Sequence, residues 1–72
     1  MTGNQIEFFD DIYRKYYKMM YDVALRIVKN PEIAEDVVAD TFLVLITKIN
    51  AVIEHEQPVK WLFRVLKNNA LN

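Results

Sequence analysis

Ile6, Phe9, Tyr13, Tyr16, Met20, Val23 and Ile27 recur at steps of three and four residues, which is the period of an amphipathic α-helix. A second row, Phe8, Ile12, Met19 and Val23, widens the apolar stripe, so this helix is expected to pack against more than one neighbour. Asp10 with Arg14, Asp11 with Lys15 and Asp22 with Arg26 are spaced four apart with the acid first, a helix-supporting order worth roughly 0.2–0.5 kcal/mol per pair. The chain has one Gly and two Pro among 72 residues, 53% of them hydrophobic, which leaves little room for loops.

Lys29-Asn30-Pro31 ends the first helix. Asn30 can cap a second helix, Pro31 suits its first position, and Glu32 and Glu35 suit the positive end of its dipole. This second helix is expected to run to about Asn50, with Ala34, Val38, Phe42, Leu45 and Ile49 facing inward. The stretch Ala51 to Gln57 has no clear helical continuation, and Pro58 reads as the first turn of a third helix whose core stripe is Leu62, Leu66 and Ala70. The expected fold is all-α: a small three-helix bundle, or four helices if the first is divided, forming one domain over residues 1–72. A domain this small buries only about 60% of the surface its unfolded chain exposes, so its stability margin is thin.

With no cysteine, the chain can form neither a disulfide framework nor a thiolate metal site. The N-terminus lacks the form of a signal peptide, and no apolar run reaches the roughly 18 residues of a membrane span, so no membrane role is expected. Catalysis finds no support. His55, the only histidine, lies between Glu54 and Glu56 with no cysteine or second histidine to complete a nucleophilic or metal set. Tyr16-Tyr17 and Met19-Met20 read as packing residues at helical spacing. Neither a cofactor nor a metal is expected.

The net charge of −1 hides an uneven distribution. Residues 31–56 carry six acids, Glu32, Glu35, Asp36, Asp40, Glu54 and Glu56, against Lys48 alone, whereas residues 57–72 carry Lys60, Arg64 and Lys67 and no acid. On the second helix Asp36, Asp40, Leu43 and Thr47 form a stripe beside the core face, flanked by Ala39 and Ile46. Two readings stay open there. The acids complement the helix dipole while Val44 and Ile46 pack on the third helix, or acids beside exposed Leu43, Val44 and Ile46 form a protein-binding face. On the third helix Lys60, Arg64 and Lys67 form a basic row, with Trp61 and Asn68 beside it. This is either a solvated face with a core tryptophan, or a set of cations, aromatic plane and amide suited to single-stranded nucleic acid.

Taken in order, NPEIAEDVVADTF and WLFRVLKNNALN resemble region 2 of a sigma factor of the extracytoplasmic-function group of the sigma-70 family. The first is similar to that family's acidic helix ending in Gln-Glu-x-Phe, the second to its Trp-Leu-Tyr-Arg-Ile-Ala-x-Asn stretch, and the resemblance extends from Phe8 to Asn72. It implies a bacterial, cytoplasmic transcription initiation factor domain, not an enzyme. Such a domain binds the clamp helices of the RNA polymerase β′ subunit and helps to melt the promoter minus-ten element by capturing its single-stranded non-template strand. Carried over by resemblance, Asp36, Ala39, Asp40, Leu43 and Ile46 would face polymerase. Lys60, Arg64 and Lys67 would hold phosphates, Asn68 would meet the flipped base, and Trp61 would pack or lie at the duplex edge.

The chain departs from the family pattern at Ala39-Asp40, where Gln-Glu is usual, and at Asn72, where Asp is usual. It also places Glu54 and Glu56 in the loop that in the family helps to form the base pocket, and acids repel phosphates. These departures favour a second reading: a sigma-like module that docks on polymerase or on an anti-sigma factor without base-specific DNA binding. The family's second, helix-turn-helix domain is not among these residues, so the chain is expected to be a piece of a longer protein, and its exposed edge is expected to favour self-association of the isolated domain.

Overall fold

The computed structural model describes all residues 1–72 as four helices: α1 (Gly3–Val28), α2 (Pro31–Thr47), α3 (Ile49–Val52) and α4 (Pro58–Leu71). Helix α1 is undivided. The fourth helix comes instead from a single turn at Ile49–Val52, where an irregular segment is expected from the sequence and where α2 is expected to continue to Asn50. No helix is long and apolar enough to cross a membrane.

Each boundary has a local cause. At the start of α1, Thr2 and Gln5 form a reciprocal capping box: the Gln5 N–H donates to Thr2 Oγ1 (3.2 Å) and the Thr2 N–H donates to Gln5 Oε1 (3.0 Å). At its end Lys29 takes a left-handed conformation (φ 56°) and its N–H donates to the Leu25 carbonyl. A side chain bearing Cβ is held there at a cost of about 1 kcal/mol, and the turn is two residues long because Asn30 caps α2 at once. Asn30 Oδ1 accepts from the Glu32 and Ile33 N–H groups at 2.9 and 3.2 Å, with Pro31 at the first helical position. The tight connection folds α2 back along α1 as a helical hairpin.

Lys48 interrupts α2 with φ −108° and ψ 22°. The chain turns there, yet Ile49 and Val52 still reach the core, which is why α3 forms at all: three residues apart on one helical face, they are 5% and 2% exposed. The Gln5 amide of α1 donates to the Asn50 Oδ1 and ties this turn to the start of the bundle.

Helix α1 packs on both α2 and α4, and α2 packs on α4, as the two apolar rows of α1 anticipate. The core contains Ile12, Met20 and Ala24 from α1, Ala34, Val37, Val38, Phe42 and Leu45 from α2, Ile49 and Val52 from α3, and Leu62 and Leu66 from α4. Ala70 is only half-buried. Phe42 receives the rings of Phe9, Tyr13 and Tyr17 at centroid distances of 5.7, 4.9 and 6.3 Å, a contact class worth about 0.5–1.5 kcal/mol per pair beyond area burial. Of the three acid–base pairs expected along α1, only Asp10–Arg14 closes, at 3.0 Å on the surface.

Thr41 is the one buried polar residue. Its hydroxyl donates to the Val37 carbonyl (2.8 Å) and accepts from the Asn69 side-chain amide of α4 (3.1 Å). This bond links α4 to α2 across an otherwise apolar contact. Thr41→Val strands the Asn69 amide and is expected to lower unfolding free energy by about 1–3 kcal/mol. Thr41→Val together with Asn69→Leu replaces both partners by apolar groups and is expected to recover most of that loss in urea denaturation. A double variant as unstable as the sum of both singles would contradict the coupling.

Candidate protein and nucleic-acid interfaces

The five α2 residues read as a protein-binding face, Asp36, Ala39, Asp40, Leu43 and Ile46, are all solvent-exposed. Leu43 is 59% and Ile46 39% exposed, and Ile33, one turn before Asp36, is 49% exposed. Because α2 carries apolar residues beyond its core face, that face cannot absorb all of them. Of the two residues left open between packing and exposure, Ile46 is exposed and Val44 is half-buried. The hydroxyl of Thr47 donates to the Leu43 carbonyl (2.9 Å), so it is already satisfied within the helix.

None of the acids along this stripe is neutralised, since Asp10–Arg14 is the only ion pair in the molecule. Beside the stripe lies an aromatic ledge from α1, made by Phe9, Tyr13 and Tyr17 around Phe42. Tyr13 is 43% exposed. Burial first, then the Coulombic influence of Tyr13, Glu35 and Tyr21, pushes the Tyr17 phenol up, which keeps it neutral and marks Glu35 as close to the ledge. Helical spacing alone reads these rings as packing residues. Their exposed edges were hidden by the same period that packs them.

Helix α4 carries the second surface. Lys60, Arg64, Lys67 and Asn68 are exposed and Trp61 is half-buried, with part of its ring against the core. No acid pairs with these cations. Lys60 and Arg64 form a ridge with a depression on either side. One is a cleft of about 80 Å³ between His55, Gln57 and Trp61. The other is an open groove of about 470 Å³ bounded by Lys67, Asn68, Phe63 and Leu71. The structure therefore divides the expected set: Trp61 lines the cleft, and Lys67 and Asn68 line the groove.

The two adjacent asparagines serve different faces. Asn69 points inward to Thr41, and Asn68 is exposed on the basic surface. The loop before α4 is ordered by His55, whose Nδ1 accepts from the Gln57 N–H at 2.9 Å. That bond stands where α4 has no side-chain cap of its own. Glu54 and Glu56 are exposed on the same loop.

A helical module with an unneutralised acidic and apolar stripe on one helix and an unneutralised basic row on another has the form of a binding domain with two differently charged faces. The Sigma-70 region 2 family model matches residues 12–72, so the chain belongs to the sigma-70 family as a region 2 domain. No curated protein and no solved structure matches the chain significantly. Membership gives the domain a sigma factor's role in RNA polymerase binding and promoter recognition. Region 2 is a transcription-factor domain and not a catalytic family.

Proposed function

We propose that this chain is the polymerase-docking and minus-ten-binding domain of an extracytoplasmic-function sigma factor, working in the bacterial cytoplasm. Its two interfaces lie on separate helices. In this reading Asp36, Ala39, Asp40, Leu43 and Ile46 bind the β′ clamp helices, and Lys60, Trp61, Arg64, Lys67 and Asn68 bind the single-stranded non-template strand. The observation that carries it is the exposure of all five α2 residues with their carboxylates unpaired, in a chain that belongs to this family. Apolar groups left in water beside uncompensated acids suit a partner with basic and apolar side chains.

The physical step on DNA is capture. Extruding a base from a stack takes a few kcal/mol, and a surface that binds only the extruded form shifts the equilibrium toward melted DNA. The three cations supply the sequence-independent part and Asn68 the base-reading part. A second reading, a sigma-like module that docks on polymerase or an anti-sigma factor without reading bases, is favoured by the exposed acids Glu54 and Glu56 on either side of His55, which lines the cleft. Transcription from a minus-ten promoter by polymerase carrying this domain separates the two.

Asp36→Arg with Asp40→Arg is expected to abolish binding to a β′ clamp-helix fragment while leaving the thermal midpoint within a few degrees, because both residues are exposed. Undiminished binding would remove the assignment of that stripe. On a single-stranded minus-ten oligonucleotide, Asn68→Ala is expected to lower affinity for the cognate sequence selectively. Lys67→Ala is expected to weaken all sequences alike and to reduce the slope of affinity against salt by about one. Uniform losses for Asn68→Ala would exclude base readout.

A further inference from the structure

Two of the acid–base pairs spaced to close along α1, Asp11 with Lys15 and Asp22 with Arg26, stay open, although the same spacing closes Asp10 on Arg14. All four of these side chains are exposed. Their positions are also symmetric: Asp11 and Arg26 lie equally far from the midpoint between Lys18 and Met19, and so do Lys15 and Asp22. At 3.6 residues per turn these six positions share a stripe about 100° wide. The stripe lies opposite the buried Met20 and Ala24, and no other helix covers it.

Met19, 54% exposed, is the one apolar residue of the stripe and stands at its centre. At the N-terminal end Asp11 and Lys15 border a groove of about 230 Å³ shared with Phe8, Pro58 and Val59, so apolar surface continues beside the charges. A face that alternates in sign and is symmetric about its own midpoint is complementary to itself. Laid antiparallel on a second copy, Asp11 meets the copy's Arg26 and Lys15 meets the copy's Asp22, and the two-fold axis repeats both pairs. Met19 then lies near the axis against the aliphatic stem of the copy's Lys18. The parallel arrangement would set each charge on its like, which selects the antiparallel one.

We propose that the outer stripe of α1 docks a second copy of this chain, antiparallel and two-fold symmetric, through Asp11, Lys15, Met19, Asp22 and Arg26. Most of the contact is exposed ion pairs, so the dimer is weak and dissociates as salt screens them. The face shares no residue with the α2 stripe or with the basic row of α4, and it stands independently of how those two are read. It places self-association on α1 and not at the exposed end, Leu71 and Asn72.

Sedimentation equilibrium of the 72-residue chain provides the test. At low salt the mass is expected to rise with concentration from 8.5 kDa toward twice that value, and to fall back as salt is added. Asp11→Arg alone and Arg26→Glu alone each set like charges opposite one another and are expected to weaken self-association about tenfold. An equimolar mixture of the two variants restores opposite charges at both positions and is expected to dimerise at least as tightly as the unaltered chain. Asp11 and Arg26 are about 22 Å apart along the helix, so a rescue of this kind cannot arise within one chain. Should circular dichroism show that either variant loses helix, Lys15→Glu mixed with Asp22→Lys poses the same question. A chain that stays monomeric at low salt, self-association that neither variant alters, or a mixture no tighter than its components would overturn the proposal.

Discussion

The structure depends on the burial of one side of α2. That helix supplies six of the thirteen buried residues, and α1, α3 and α4 are arranged around it. Because its apolar content exceeds what one face can bury, the surplus emerges as Leu43, Ile46 and Ile33 between unpaired acids. The core and the proposed polymerase-binding face are thus two sides of one element. A change that rotates α2 would move both.

The same logic extends to α4 through a single polar contact. Thr41 and Asn69 meet in an otherwise apolar interface, and a displaced register would leave a part-buried amide without a partner. In this arrangement Lys60, Arg64, Lys67 and Asn68 are turned to solvent, while Leu62 and Leu66 are fully buried. The net charge of −1 says nothing of this separation. At physiological salt, exposed charges are screened beyond about 8 Å, so each face keeps its own sign.

Much of the fold is legible in the sequence because its signals are local. The Asn30-Pro31 start of α2, the Pro58 start of α4 and the inward positions Ala34, Val38, Phe42, Leu45, Ile49, Leu62 and Leu66 follow from capping chemistry and helical period. The features that escape are those decided by tertiary contact. The α3 turn exists because Ile49 and Val52 find the core after Lys48 has broken α2, and Thr41 and Asn69 are inward because each satisfies the other. Single-residue polarity would place both of those on the surface. In the candidate site the residue types and faces are legible, but the partition of the α4 face into a cleft beside Trp61 and a groove beside Phe63 depends on side-chain packing that spacing does not encode.

The central claim is that polymerase and DNA use separate faces of one small bundle. It is tested most directly by mapping amide chemical shifts of the isotope-labelled chain as a β′ clamp-helix fragment and then a single-stranded minus-ten oligonucleotide are added. The account predicts perturbations concentrated on Asp36–Ile46 with the fragment and on Lys60–Asn68 with the oligonucleotide, both persisting when the two ligands are present together. Perturbation of one common face by both, or displacement of one ligand by the other, would contradict it.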